Sequence, residues 1–231
     1  MAQKINPISF RLGITQLWNT TLQFYGKSYK FYFYILHKYL IIYKHLIKIF
    51  ILNGFLLDCQ EWKINKSRIN LNVYYLKLNF QKNFTHLYFF KIILNLINQW
   101  FSTQVFIRFY LKSSWALSTN LLVAYSQYLI DTNSSSKKII LNLDKFLSVH
   151  LQSKKIFYFK FGIINLRLRG FKIRFSGRFN DSKTQMAKSF EHTVGYLPLT
   201  SLKSCVEYVD KIIYTKSGIC GLKIWLFYEF Y

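Results

Sequence analysis

Apolar and charged residues alternate in the last quarter of the chain. Phe171, Ile173 and Phe175 occupy every second position, and Lys172 and Arg174 lie between them. A period of two is typical of a strand with one face buried and the other in water. We therefore expect a β-rich unit with a basic face over residues 171–227. The glycines expected at its turns or close backbone approaches are Gly177, Gly195, Gly218 and Gly221.

Upstream of this unit the periodicities predict helices and strands in mixed order. The predicted elements are a helix over 34–57, a strand over 69–80, a helix over 86–100, a strand over 105–111, and helices over 115–130 and 139–161. Residues 131–136, Asp-Thr-Asn-Ser-Ser-Ser, form the predicted linker because they are polar and turn-prone.

This order indicates an α+β protein with a basic N-terminal arm over 1–33. A largely helical domain over 34–130 follows, and after the linker comes a C-terminal α/β domain over 137–231. We expect the C-terminal domain to have a mostly antiparallel sheet packed on helices.

The predicted helix over 34–57 has a basic stripe on one side. Its members are His37, Lys38, Lys44, His45 and Lys48. The stripe fits the solvated face of a core helix, a face turned toward RNA, or a helix lying on a membrane surface. Because lysines interrupt the segment and its uncharged end over 49–57 is short, we predict no transmembrane segment.

The net charge of the chain indicates which class of partner it binds. The chain has 32 Lys and Arg against 9 Asp and Glu, a net charge of +23. No acid occurs over residues 1–57, 62–130 or 145–180, so the cations are spread along the whole chain. Such a charge favours a polyanionic partner, either nucleic acid or an anionic membrane surface.

No group of residues predicts catalysis. The histidines lack the spacing of metal ligands, and Cys59, Cys205 and Cys220 are too far apart for a zinc motif. The scattered acids also argue against an intron RNA-processing enzyme, which would need an acidic metal-binding cluster. We predict no enzyme, cofactor, metal site or small-molecule substrate.

The densest basic run, residues 154–178, is interleaved with aromatic residues. Cations that neutralise phosphates beside rings that stack on bases are typical of proteins that bind folded RNA. Its cations are Lys154, Lys155, Lys160, Arg167, Arg169, Lys172, Arg174 and Arg178.

Motifs at both ends resemble small-subunit ribosomal protein three, the universal S-three family, in a divergent, organelle-encoded form. Near the C-terminus they are Ser176-Gly177-Arg178, the run Gly-Tyr-Leu-Pro-Leu-Thr-Ser-Leu over 195–202, Tyr208, and the run Gly-Ile-Cys-Gly-Leu-Lys-Ile-Trp-Leu-Phe over 218–227. Near the N-terminus, residues 3–7 and 10–14 are similar to the start of bacterial and organellar members. Ala187-Lys188 stands where members usually carry Ala-Arg.

The resemblance implies a protein of the ribosomal small-subunit head, with neighbouring head proteins and small-subunit rRNA as partners. The residues expected to bind rRNA are Lys4, Arg11, Arg167, Arg169, Lys172, Arg174, Arg178 and Lys188. It also implies mRNA as a partner, with Lys154 and Lys155 lining the channel through which mRNA enters.

The family also implies a type II KH domain before the linker, whose Gly-x-x-Gly loop clamps the nucleic-acid backbone. This chain has no glycine over residues 55–161, and the loop position falls at about Gln81 to Phe84. Close backbone approach needs glycine. We expect a degenerate KH-like scaffold without the usual clamp.

Composition indicates an organelle genome, because Phe, Tyr, Ile, Asn and Lys are heavily used and have AT-rich codons. The chain begins directly on the family motif, so we expect a protein of the mitochondrial matrix ribosome made without a presequence. A plastid or an AT-rich bacterium is the other possible source. The competing function is that of a peripheral membrane protein whose basic helix lies on anionic lipid.

Overall fold

The computed structural model describes residues 5–22, 29–65, 68–77, 86–101, 103–112, 118–131, 136–159, 162–178, 186–215 and 218–231. They form two units. The middle unit comprises residues 19–113, and the C-terminal unit comprises residues 1–18 together with 114–231.

The middle unit is a four-stranded sheet with two helices. Its elements are β1 (Thr20–Leu22), α2 (Tyr29–Leu52), β2 (Phe55–Ile64), β3 (Arg68–Lys77), α3 (His86–Trp100) and β4 (Gln104–Leu111). The strand order is β1-β2-β3-β4; β2 and β3 are antiparallel, and the outer pairs are parallel. The strand, helix and strand predicted over 69–111 are thus confirmed as β3, α3 and β4.

One face of this sheet forms a core with α2 and α3. Phe50 of α2, Trp62 of β2 and Ile93 of α3 are almost completely buried, together with Leu71 and Val73 of β3. Alternate residues of β3 therefore point into the core, and the residues between them point to the opposite face.

The first long helix ends earlier than predicted. Asn53 donates from its side chain to the carbonyl of Ile49 at 2.7 Å, and Gly54 follows with φ of 76°. This left-handed glycine is a common helix stop. β2 begins at once, so the helix predicted to reach residue 57 was wrong in its last turn, and β2 was not predicted.

The C-terminal unit is an antiparallel sheet with helices. Its elements are α1 (Pro7–Arg11), α4 (Thr119–Asp131), α5 (Ser136–Val149), β5 (Lys154–Phe159), β6 (Gly162–Gly177), β7 (Lys188–Gly195), β8 (Ser204–Thr215) and β9 (Gly218–Phe230). The strand order is β5-β6-β9-β8, and β7 also pairs with β6. β5 and β7 pair with successive halves of β6. The α+β class and the antiparallel sheet packed on helices are confirmed.

Helices α4 and α5 cover the inner face of this sheet. Leu122 and Val123 of α4 and Leu143 of α5 belong to the same buried cluster as Phe171 and Ile224 of the strands. Because α4 shares its core with β6 and β9, the division between units lies before α4. This position differs from the linker predicted over 131–136, of which residues 132–135 lie outside the described residues.

The helix predicted over 139–161 was wrong in its second half. α5 ends at Val149, and Gln152 takes φ of 68° while its N–H donates to the carbonyl of Leu168 at 2.8 Å. The chain then enters β5. Lys154 and Lys155 therefore lie on strand β5 and not at the C-terminal end of a helix.

Residues 7–11 of the predicted N-terminal arm form the short helix α1. Asn6 caps it by accepting from the N–H of Ile8 at 3.0 Å, and Pro7 begins it. Both are favoured at these positions. α1 belongs to the C-terminal unit, so these residues are part of a folded core.

Candidate nucleic-acid interface

The outer face of the C-terminal sheet carries the cations of β6. Phe171, Ile173 and Phe175 are buried with at most 1% of their surface exposed. Lys172 and Arg174 lie between them on the opposite face, with 22% and 44% of their side chains exposed. The alternation predicted from the sequence is confirmed.

Carboxylates of neighbouring strands hold these cations. Glu191 of β7 lies opposite Arg174 in the register, and its oxygens are 3.1 Å from Arg174 Nε and 2.7 Å from Lys172 Nζ. Arg169 Nε is 2.6 Å from a carboxylate oxygen of Glu229 on β9. Since most of these groups are well exposed, each pair contributes about 0–1 kcal/mol and can open toward another anion.

Aromatic rings lie in the next row of the same face. Lys172 Nζ is 5.6 Å from the ring centre of Trp225, which is 5.1 Å from that of Tyr208. Beside them, Lys223 and Asp210 pair at 2.9 Å. The hydrogen bond to Asp210 raises the pKa of Lys223, so its ammonium is charged at neutral pH. The face thus combines cations, rings and exchangeable carboxylates.

A second cationic group lies where β5 meets β6. Lys154 and Arg167 are cross-strand partners, and both lie over the ring of Tyr231, at 4.7 Å and 4.4 Å from its centre. The backbone N–H of Tyr231 donates to the carbonyl of Asn165 at 3.0 Å. The Nε–H of Arg167 is buried and donates to no acceptor in the described part of the chain.

Lys155 differs from its neighbour. Its ammonium pairs with Glu207, and both side chains are less than 20% exposed, at 17% and 16%. It also lies 5.4 Å from the ring centre of Tyr228. Lys155 thus helps to hold β5 to the sheet, whereas Lys154 is exposed.

Three further cations predicted to bind rRNA are Arg178, Lys188 and Lys4. Arg178 is half-buried just after β6, and Lys188 is exposed at the start of β7, opposite Gly177. Lys4 lies outside the described residues. Lys188 and the β6 cations are therefore brought to the same sheet.

The prediction that Arg11 binds rRNA was wrong, because Arg11 is completely buried and offers no surface to RNA. Its guanidinium donates to the carbonyl oxygens of Pro7, Leu199, Ser201 and Ser204 at 2.6–3.0 Å. Burial lowers the pKa of Arg11 from its ordinary value. Arg11 ties α1 to the turn before β8, a structural role that a local basic motif does not reveal.

The basic stripe of α2 is mostly exposed in the structure. His37, Lys44, His45 and Lys48 are exposed, whereas Lys38 is partly buried, with its ammonium 4.1 Å from the ring centre of Tyr34. The loop position expected at residues 81–84 lies outside the described residues. Of the helices described, none is long and apolar enough to span a bilayer.

Two residues of this interface, Glu191 and Tyr231, were missed in the sequence. Glu191 acts on Lys172 and Arg174 only because of the β6–β7 register, and Tyr231 meets Lys154 only because of its position beside β6. The alternation in β6 could not reveal either one, because both depend on pairing between distant segments.

No profile of a known protein family matches the chain. It is 48% identical over 228 residues to the small ribosomal subunit protein uS3m of Chondrus crispus, covering 99% of this chain and 94% of that protein. The chain belongs to the uS3 family. It is also 27% identical to uS3c of Euglena longa, over 98% of this chain and 99% of that protein.

A more local similarity involves uS3 of Borrelia duttonii, 38% identical over 64 residues, which is 28% of this chain and 22% of that protein. The S-three resemblance of the motifs is confirmed by these relatives. As a uS3 protein, the chain is a ribosomal protein of the small subunit with a structural role in translation.

Proposed function

We propose that this uS3 protein is a structural constituent of the mitochondrial small ribosomal subunit that binds small-subunit rRNA in the head. The observation that carries the proposal is its 48% identity to uS3m of Chondrus crispus across nearly the whole chain. The net charge of +23 supports a polyanionic partner. Its other proposed partners are the neighbouring ribosomal proteins of the small-subunit head.

The rRNA contacts of this proposal lie on the outer face of the C-terminal sheet. Arg169, Lys172 and Arg174 exchange their carboxylate partners for phosphates, and the exposed Lys188 adds a further cation. Each contact is weak, but each phosphate neutralised releases counterions, so the contributions add and binding becomes strongly salt-dependent. Arg178 extends the same surface at the end of β6.

We infer that Lys154 contacts mRNA at the channel through which it enters. Lys154 is exposed beside Arg167, and Tyr231 supplies a ring next to both, whereas Lys155 is occupied by Glu207. Lys154→Glu should reduce initiation on structured mRNA while subunit assembly stays normal. Equal loss of initiation and assembly would contradict the role in mRNA binding, and Lys145→Glu, at an exposed site on α5, is the control.

We also infer that the middle unit is a degenerate KH-like scaffold. Support comes from the helix-strand-strand-helix-strand order from α2 to β4, and from the absence of glycine over residues 55–161 of the sequence. Without a Gly-x-x-Gly loop, its interactions with RNA or protein do not use the usual clamp.

Gradient sedimentation tests the ribosomal role. The protein should sediment with small subunits from mitochondrial lysate treated with detergent, and about 1 M salt should release it, since screening weakens phosphate contacts. Flotation with anionic vesicles, resistant to salt, would instead indicate the peripheral membrane function. Release by detergent alone would overturn the proposal.

A further inference from the structure

The middle sheet has a second face, opposite α2 and α3, that the rRNA interface proposed above does not include. Leu71, Val73 and Val105 are buried toward the helices, so the residues between them in β3 and β4 point to this outer face. The register sets them in rows. These rows are Arg68 beside Gln104, Lys63 beside Asn70 and Phe106, Glu61 beside Asn72 and Arg108, and Tyr74 beside Tyr110.

Exposed aromatic rings are the first unusual property of this face. Phe106 is 48% exposed and Tyr110 is 40% exposed. The ring of Tyr110 stacks on that of Tyr74, with centres 5.2 Å apart and planes inclined by 21°. Phe106 and Tyr110 are four residues apart on β4, so about 13 Å separates them along the strand. Arg108 lies between them on the same face.

The charges of this face are the second property. Lys63, Arg68 and Arg108 are exposed, and none forms an ion pair with a described carboxylate.

The two carboxylates nearby already have partners. Glu61 accepts from Asn72 at 3.2 Å and hydrogen-bonds Tyr74, and Asp58 pairs with Lys112. Neither carboxylate forms an ion pair with Lys63, Arg68 or Arg108, so these three cations are not ion-paired within the part of the chain that the structure describes, unlike the cations on the face of the C-terminal sheet.

We propose that this face binds an unpaired segment of RNA. Bases stack on Phe106 and Tyr110, and Lys63, Arg68 and Arg108 hold the phosphates. Sheet-borne rings stack on unpaired bases in other RNA-binding proteins, and Arg planes between rings add stacking of their own. A duplex keeps its base faces inside the helix, so exposed rings favour the single strand. The cations favour a polyanion over a protein partner.

Fluorescence anisotropy with the full-length chain and a labelled, mixed-sequence single-stranded RNA tests this binding. Phe106→Ala with Tyr110→Ala should weaken binding at least about tenfold, because two stacking platforms are lost. Tyr110→Phe keeps the ring and should bind as the wild type does. Tyr34→Ala removes an exposed ring from α2 of the same unit and should change nothing. Circular dichroism confirms that each variant is folded.

Several outcomes would overturn the proposal. Unchanged affinity of the double variant would exclude stacking, and equal weakening by Tyr110→Phe would show that the ring is not what binds. Variants that keep RNA affinity but are lost from assembled subunits would show that a protein covers this face. Arg174→Glu, in the C-terminal sheet, should weaken duplex and single-strand binding alike, so failure of the rRNA interface is distinguishable from failure here.

Discussion

Lys154 of β5 lies directly opposite Arg167 of β6, and the two cations share the ring of Tyr231. Like charges placed opposite each other destabilise a strand pair by several tenths of a kcal/mol. The negative face of the ring offsets this repulsion, because a cation over an aromatic ring contributes about 0.5–1 kcal/mol at an exposed site. Two cations therefore remain close together at the surface without loosening the sheet.

Removing that ring should destabilise the C-terminal unit. We expect Tyr231→Ala to lower the free energy of unfolding by about 1 kcal/mol, and Tyr231→Phe to leave it nearly unchanged. Urea unfolding measures both. The loss should shrink in about 1 M salt, where the repulsion between Lys154 and Arg167 is screened. A loss of the same size in a Lys154→Gln background would contradict the shared ring.

Replacing Arg11 should affect folding and leave RNA binding unchanged. Arg11→Ala leaves several buried carbonyls without a donor, so we expect a loss of at least about 3 kcal/mol in the free energy of unfolding. Arg11→Lys should lose less than Arg11→Ala, because its ammonium still donates to some of these carbonyls, although it cannot reproduce the guanidinium fork. Arg169→Ala, on the surface, is the control in urea unfolding. A stable Arg11→Lys protein with weaker RNA affinity would contradict the structural role.

Gly195 and Gly54 separate backbone strain from steric overlap. Both have φ of 76°, but a Cβ at Gly195 would lie 2.2 Å from the carbonyl oxygen of Arg169, whereas a Cβ at Gly54 would have no neighbour within 4 Å. We expect Gly54→Ala to cost about 1 kcal/mol through its backbone alone. Gly195→Ala should cost clearly more, measured by urea unfolding. Equal losses of stability in the two variants would show that the backbone where β7 ends beside β6 shifts to accommodate the added Cβ.

Glu191 should restrain RNA binding, because it occupies both Lys172 and Arg174. Glu191→Gln releases them, so we expect affinity for small-subunit rRNA to rise severalfold with a steeper dependence on salt. Arg174→Glu with Arg178→Glu should do the opposite. Asp131→Asn makes the same charge change at the exposed end of α4 and is the control in filter binding across a salt series. An equal gain in rRNA affinity from Asp131→Asn would show that the change in net charge, and not the release of Lys172 and Arg174, raises the affinity.

Stability should fall at alkaline pH because of buried thiols. Burial raises the pKa of Cys205 to about 12 and raises the pKa of Cys59 as well. Unfolded thiols titrate near about 8.5, so above that pH the unfolded chain loses protons that the folded chain keeps. The thiol contribution is complete below about pH 8.5 and falls above it by up to about 1.4 kcal/mol per pH unit for each thiol.

Urea unfolding between about pH 7.5 and 10.5 measures this decline. Cys205→Ala should flatten the slope even if it also lowers stability at every pH, since the slope depends on the lost titration. The same slope in wild type and variant would show that Cys205 is not the group concerned.

The local sequence pattern was sufficient to predict an element where the environment of that element is set mainly by residues near it in the sequence. The alternation of Phe171, Lys172 and Ile173 predicted β6, and the apolar periodicity of residues 86–100 predicted α3. β2 was missed because its buried Asp58 and Gln60 interrupt the alternation. The extra helical turns predicted after α5 failed because pairing with β6 outweighs helix propensity over residues 154–159.

The sequence by itself determined the uS3 family, through motifs at both ends, together with the basic character and the α+β class. Only the tertiary structure decided which cations are available. Arg11 donates to carbonyls near Ser204 and Lys155 pairs with Glu207, so neither is available, whereas Arg108 is exposed on the same strand face as Phe106. The physical reason is that charge is a property of one residue, whereas its availability depends on partners that pairing of distant strands brings near.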